Sequence, residues 1–346
     1  MGDARGVKRP AASDEDVGVR DEGDRSRRAR AAAPPADDDA CIDLTAASPS
    51  PRKTSPDPEF DPHGLSAVAA CVPRRGESGD PRVAPRLRRS TPASNTTRLC
   101  SADFDAFTTI GKPDHGFGCG YRNLQTILSA LARDPSLAPL LGGAARLRPR
   151  RSVDPGPDAH PEPAVVPTVS ELQHWLEHSW SAGFDVAGAA QLGTLVGTRE
   201  WIGATEILTL LRFAGVRAEV SDFEGHGGGD LGDAVWEWAW RRFDPSEPTA
   251  PGVLQWRGHS VAVVGASMEA PGEPTRRRIL VLDPSTVGSA NPNGERGARV
   301  AELDPARLRK SAYQGVFLPG GGSRYPTEEA REESKVIRCA EHVKRA

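Results

Sequence analysis

Nine phenylalanines, seven tryptophans and three tyrosines are spread so unevenly along this 346-residue chain that only Phe60 lies in the first hundred positions. All seven tryptophans fall between Trp175 and Trp256. Ordering a residue costs roughly 1–2 kcal/mol of backbone entropy, and only buried apolar surface offsets it. A segment made mostly of Asp, Arg, Pro, Ser and Ala cannot supply that surface. Residues 1–96 therefore read as a disordered tail, and residues 97–346 as the one folded domain. Within that domain the Pro/Gly/Arg-rich stretch 142–167 reads as a flexible insertion, and the charged stretch 327–343 as a terminal helix.

A net charge of −3 gives no global attraction to nucleic acid or to a membrane surface. No apolar run approaches the roughly 18 residues that a spanning helix needs, and the first residues lack the apolar core of a signal peptide. Cys41, Cys71, Cys100, Cys119 and Cys339 are scattered, with no Cys-x-x-Cys pair, as in a reducing compartment and without metal-binding spacing. The expectation is a soluble protein of nucleus and cytoplasm, with no metal and no cofactor. Two elements of the tail add to it. Lys8-Arg9-Pro10 with Arg25 to Arg30 reads either as a split nuclear-import signal or as solvated charge. Ile42, Asp43 and Leu44, behind the acidic run Asp37-Asp38-Asp39, form a short β-prone core of the kind that adds a strand to a sheet edge. That pattern resembles a SUMO-interacting motif, which makes SUMO a candidate partner; such short patterns also arise by accident.

Beyond position 96, helical and strand-like runs alternate. Leu124, Ile127, Leu128 and Leu131 repeat at i, i+3, i+4, i+7, which predicts an amphipathic helix. Thr168 and Glu171 have capping-box spacing ahead of a helix carrying Leu172, Trp175 and Leu176. Further helices are predicted over 203–213, stopped by Gly215, and over 231–243. Strands are predicted over 217–220, 252–256, 259–266, 278–282 and 313–318. One helix followed by a mainly antiparallel sheet is an α+β arrangement.

At the start of the first of these helices, Gly118-Cys119-Gly120 sets a cysteine between two glycines. The glycines let the backbone turn and leave the sulfur uncrowded, while unpaired N–H groups of a first helical turn favour thiolate. Thiolate is the nucleophile, so Cys119 is a candidate for covalent catalysis. A small buried hydrophobe is the common alternative for any free cysteine. A cysteine nucleophile needs a base. Among eight histidines, His259 follows Gly258 and opens the apolar run Val261-Ala262-Val263-Val264, a setting that would hold its ring firmly. His174 and His178 have i, i+4 metal spacing but lack a third ligand, and His115 is too close in sequence to swing readily over Cys119, though it could line the cleft. Asp283 ends the strand Ile279-Leu280-Val281-Leu282 and would orient the imidazole if that strand pairs with the one from His259. Gln255, four residues before His259, offers a side-chain amide to an oxyanion hole beside the Cys119 N–H. A strand-capping histidine and a turn aspartate before Pro284 are the plain alternatives.

The blocks Gly118 to Asn123, Trp201 to Glu206, Leu254 to Ser260 and Leu282-Asp283-Pro284, in this order, resemble the zinc-finger-containing ubiquitin peptidase branch of the superfamily that also holds the ubiquitin-fold-modifier proteases, peptidase family C78. The resemblance implies a papain-like fold with Cys119 as nucleophile, His259 as base, Asp283 as its orienter and Gln255 as oxyanion donor. It implies cleavage of isopeptide bonds after a ubiquitin C-terminus, with preference for lysine-63-linked chains. By the same resemblance Glu206 and Asp185 would meet the arginines of the ubiquitin tail and Trp201 would wall the groove; a plain core tryptophan is the alternative. The modifier-specific branch places Asp and His together as Asp-Pro-His, whereas this chain reads Asp283-Pro284-Ser285 with its histidine at 259. The tail carries no zinc finger of the kind found in that branch. Two alternatives stay open: a ubiquitin-fold-modifier protease, and an inactive ubiquitin- or SUMO-binding adaptor.

Overall fold

The computed structural model describes residues 76–109, 114–142, 145–147, 162–225, 229–269, 276–290 and 296–345. The basic clusters and Ile42, Asp43 and Leu44 lie outside them. The described residues form helices α1 (Val83–Ser90), α2 (Cys119–Leu131), α3 (Val169–Ser181), α4 (Val186–Leu192), α5 (Ala204–Phe213), α6 (Gly229–Arg242) and α7 (Glu328–Glu333). The strands are β1 (Thr97–Leu99), β2 (Arg146–Leu147), β3 (Ala164–Val165), β4 (Glu219–Gly225), β5 (Gly252–Trp256), β6 (His259–Met268), β7 (Arg277–Ala290), β8 (Arg296–Leu303), β9 (Ala312–Phe317) and β10 (Glu341–Arg345).

The main sheet runs β10-β4-β9-β5-β6-β7-β8, with β1 added against β6. Every pairing is antiparallel except that of β10 with β4. The two-residue alternation of strands sorts side chains to opposite faces. Val253 and Val316 join the core packed under α2, α3 and α5, while their neighbours Leu254 and Phe317 join a second core built on α6. This is the α+β arrangement expected from the sequence, a cysteine-bearing helix laid on a mainly antiparallel sheet.

The central helix α2 differs from a simple amphipathic one, because all of its residues are buried. Leu124, Ile127 and Leu128 are fully enclosed, and each such side chain contributes about 1.5–3 kcal/mol. Its polar side is satisfied internally rather than by water. Arg122 donates to Asp114 (2.7 Å) and Glu77, Gln125 donates to the Pro167 carbonyl (2.6 Å), and Ser129 accepts from the Asp105 N–H (2.8 Å). Buried polar groups are tolerated only when paired in this way. The capping box predicted at Thr168 and Glu171 is formed, with Glu171 Oε2 accepting from the Thr168 N–H at 2.8 Å.

Three expectations change. The folded part begins before residue 97: Val83, Ala84 and Leu87 of α1 are buried in the second core, and Glu77 bridges to Val166. The edges of the 142–167 stretch are anchored, with Arg146–Leu147 paired to Ala164–Val165 and the latter strand buried. The terminal helix stops after six residues at Glu333, and the chain instead closes the sheet as β10. The open edge of β4 offers unpaired N–H and C=O groups, and the Glu341–Arg345 segment satisfies them where a further helix would not.

Candidate active site

Cys119 is the first residue of α2, preceded by Gly118 in helix-compatible geometry (φ −77°, ψ −9°). The turn that leads into it is held by the Asp114 carbonyl, which accepts from the Gly118 N–H at 2.8 Å. Gly120 lets the helix start press against the segment Trp201–Gly203, since a methyl group there would run into the Ile202 carbonyl. That segment in turn touches Gln255: a Cβ on Gly203 would meet the Gln255 amide at 2.7–2.8 Å.

His259 is delivered by the tight hairpin between β5 and β6. Gly258 takes φ +94° in its two-residue turn, a conformation that glycine adopts without strain. Pairing of β6 with β7 then brings Asp283 to the same end of the sheet, and His259 Nε2 lies 2.9 Å from Asp283 Oδ1. With Nε2 committed there, Nδ1 is the ring nitrogen left to face the thiol. Cys119 and His259 are hydrogen-bonded to each other, so the helix tip and the strand end converge.

The electrostatics follow from these contacts. Burial pushes the Cys119 thiol up, but hydrogen bonds from His259 and Ser260 and the imidazole charge outweigh it and leave the pKa lowered. The Asp283 carboxylate, and then Cys119, hold the His259 imidazole charged and raise its pKa to about 9. Burial works against ionisation of Asp283, yet His259 and Ser285 bring its pKa down to about 2. The lowered thiol and the raised imidazole both favour the thiolate–imidazolium pair, with a carboxylate behind it. Such a group can attack a carbonyl carbon and then protonate the leaving amine.

Several supporting residues escaped the sequence reading. Ser260 sits beside the sulfur and accepts a hydrogen bond from Asn123 Nδ2 at 2.9 Å, a buried link between α2 and β6. Ser285 donates to Asp283 through both its N–H (2.8 Å) and its hydroxyl (2.6 Å). Trp256 packs edge-on against the His259 ring, with centroids 5.3 Å apart. Ser260 and Trp256 are chain neighbours of His259 and Gln255, and Asn123 lies one turn along α2 from Cys119; all three fall within the blocks that carry the resemblance, but nothing in the sequence assigned them a role.

Gln255 is half-buried, and its Oε1 is enclosed with no hydrogen-bond partner among the described residues. Trp201 is partly buried against the first core. Glu206 is buried; its carboxylate accepts from the Gly203 N–H (2.6 Å) and the Thr205 hydroxyl (2.9 Å), and burial raises its pKa with Asp185 adding to the effect. Asp185 caps α4 through the Gly188 N–H at 3.1 Å and is the only non-glycine with positive φ among the described residues, at +46°. The structure thus groups Cys119, His259, Asp283 and Gln255, and sets Glu206 and Asp185 together further out. His178 packs edge-on against Phe213, centroids 5.8 Å apart, as an ordinary ring contact. A cleft of about 450 Å³ opens beside Phe117, two residues before the cysteine, and is lined also by Asp114, Arg122, Gln173 and Thr198.

Comparison with known proteins places the chain in a family. The mouse (Mus musculus) protein "Zinc finger-containing ubiquitin peptidase 1" is 33% identical over 253 residues, covering 66% of this chain and 39% of the mouse protein. Its human (Homo sapiens) counterpart is 31% identical over 186 residues, 49% of this chain and 28% of the human one. "Ubiquitin carboxyl-terminal hydrolase mug105" of Schizosaccharomyces pombe is 28% identical over 218 residues, 61% of this chain and 76% of the yeast protein. The chain thus spans well under half the length of the mammalian relatives. A solved structure described as "Crystal structure of UfSP from C.elegans" superposes with a TM-score of 0.41 at 19% identity, over 68% of this chain and 35% of that one. A family model described as "Peptidase family C78" matches residues 93–139 and 153–314, a span that holds Cys119, His259, Asp283 and Gln255. The chain belongs to peptidase family C78.

Proposed function

We propose that this chain is a cysteine deubiquitinase that cleaves isopeptide bonds after the ubiquitin C-terminus. The observation that carries the reading is the chain of contacts from Cys119 through His259 to Asp283, with the thiol lowered and the imidazole raised to about 9. The ubiquitin-directed names of the mammalian and yeast relatives point to the substrate.

In this mechanism the Cys119 thiolate attacks the carbonyl carbon of the terminal glycine. The developing oxyanion is met by the Cys119 N–H at the helix start and by the N–H donors of the Gln255 side-chain amide. His259 hands its proton to the departing lysine amine, leaving a thioester. A water then gives its proton to His259, attacks the thioester and releases the carboxylate and the thiolate. Asp283 keeps the ring oriented throughout and stabilises its charged form each time it carries the proton. Glu206 and Asp185 receive the arginines that precede Gly-Gly in the tail, and Trp201 walls the path. Lysine-63 chains are the preferred linkage. Targeting through SUMO by Ile42, Asp43 and Leu44, and residence in nucleus and cytoplasm, complete the proposal.

The test is a cleavage panel over every diubiquitin linkage, with the wild type and Cys119→Ala. Cleavage by the wild type alone, fastest on the lysine-63 dimer, is expected. Processing of a ubiquitin-fold-modifier conjugate with no diubiquitin cleaved would overturn the reading.

A further inference from the structure

Three large apolar side chains stand exposed among the described residues, and two of them, Val186 (66%) and Val336 (62%), flank one hydrogen bond. The Asp185 N–H donates to the Lys335 carbonyl at 2.9 Å, so the start of α4 and the C-terminal segment share one surface. Isolated exposed valines are ordinary. This pair is not isolated. Val186 opens α4, a helix with no buried residue, on which Ala187 and Ala190 are exposed as well. The far half of the pair is held in place from beneath, because buried Arg212 donates to the Ser334 carbonyl at 3.0 Å. The Ala340 N–H, bonded to the Val220 carbonyl at 2.8 Å, fixes the same segment further on.

The position of this surface relative to the nucleophile is set by a series of contacts. Gly120, next to Cys119, touches Ile202; Gly203 touches Gln255; Glu206 accepts from the Gly203 N–H; Asp185 acts electrostatically on Glu206; and Val186 follows Asp185. An extended peptide advances about 3.3 Å per residue. A tail laid along that series would place its glycines at Gly203, its arginines at the two carboxylates, and the folded body behind it at Val186 and Val336.

We infer that Val186, Ala187, Ala190 and Val336 form the docking surface for the folded body of the modifier whose tail enters the site, received through an apolar patch on that body. The inference rests on the deubiquitinase reading. It assigns part of substrate recognition to the C-terminal segment, which would then bind substrate as well as close the sheet.

The experiment compares two fluorogenic amides, one on full-length ubiquitin and one on a pentapeptide ending Arg-Gly-Gly, for the wild type and the double variant Val186→Ser/Val336→Ser. Both side chains are exposed, so the melting temperature should not move. Removing two valines that become half-buried in a complex should lower kcat/KM on full-length ubiquitin about ten-fold, mostly through KM, and leave the peptide unchanged. Single variants Val186→Ser and Val336→Ser should each show part of the loss. An unchanged kcat/KM on ubiquitin, or an equal loss on both substrates, overturns the docking surface while leaving the enzyme reading standing. A wild type that cuts neither substrate overturns the enzyme reading itself, and the docking surface with it.

Discussion

Replacing Asp283 by asparagine isolates the carboxylate charge from its geometry. The amide of Asp283→Asn still offers an oxygen to His259 Nε2–H and to the Ser285 donors, so the ring should keep its orientation. What disappears is the carboxylate, whose hydrogen bond to the ring, the largest cause, and whose charge together lift the His259 pKa from 6.5 to about 9. The Asp283 pKa moves less, from 3.8 to about 2, because burial opposes it, while His259 also answers to Cys119. The histidine value therefore sets the pH behaviour. At pH 8 an imidazole of pKa about 9 is roughly 90% charged and one of pKa 6.5 roughly 3%, a loss of up to about thirty-fold in the ion pair. At pH 6 the same change costs less than about two-fold. The Cys119 contact retains part of the shift, so a ten- to thirty-fold fall in kcat/KM is expected at about pH 8. The assay is a pH profile of kcat/KM on a ubiquitin fluorogenic substrate from about pH 5.5 to 9.5, with the alkaline limb moving from near 9 towards 7. Stability should follow the same sign. A raised histidine pKa contributes stability that is complete below 6.5 and lost as pH rises through about 9, so the melting-temperature gap between wild type and variant should narrow over that window. A defect equally large at both ends of the pH range would refute the electrostatic account.

Other perturbations give distinct readouts. Gln255→Ala should lower kcat about a hundred- to a thousand-fold with little change in KM, measured by steady-state kinetics. Arg122→Ala leaves the buried Asp114 carboxylate without this ion pair and should cost about 3–5 kcal/mol in denaturant unfolding. Gly120→Ala drives a methyl group into the Ile202 carbonyl, and a thermal melt should report about 1–3 kcal/mol of destabilisation together with lost activity. Deleting residues 37–45 should abolish binding to SUMO in a pull-down and leave kcat on ubiquitin substrates unchanged.

The catalytic elements were readable because each rests on local chemistry. Helix periodicity located α2, and the apolar runs on either side of Arg257-Gly258 located β5 and β6. The strand ending in Asp283 was legible too, although its meeting with His259 depends on a register that no local pattern states. What escaped depends on distant partners. Val83, Ala84 and Leu87 are three anchors among arginines, and only the second core reveals why they order. Strand β8 is short of large apolar residues and is recognisable through its pairing with β7. Glu341 to Val343 reads as the end of a charged helix until the open edge of β4 is known. Positive φ at Asp185 and the Ser260–Asn123 link likewise need the tertiary structure to appear.

The most direct measurement treats the protein with ubiquitin bearing a C-terminal electrophile and maps the adduct by mass spectrometry. The account predicts a single adduct on Cys119, abolished by Cys119→Ala and slowed by His259→Ala, with Cys100 and Cys339 untouched. Labelling at either of those cysteines, or none with the thiols reduced, would contradict it.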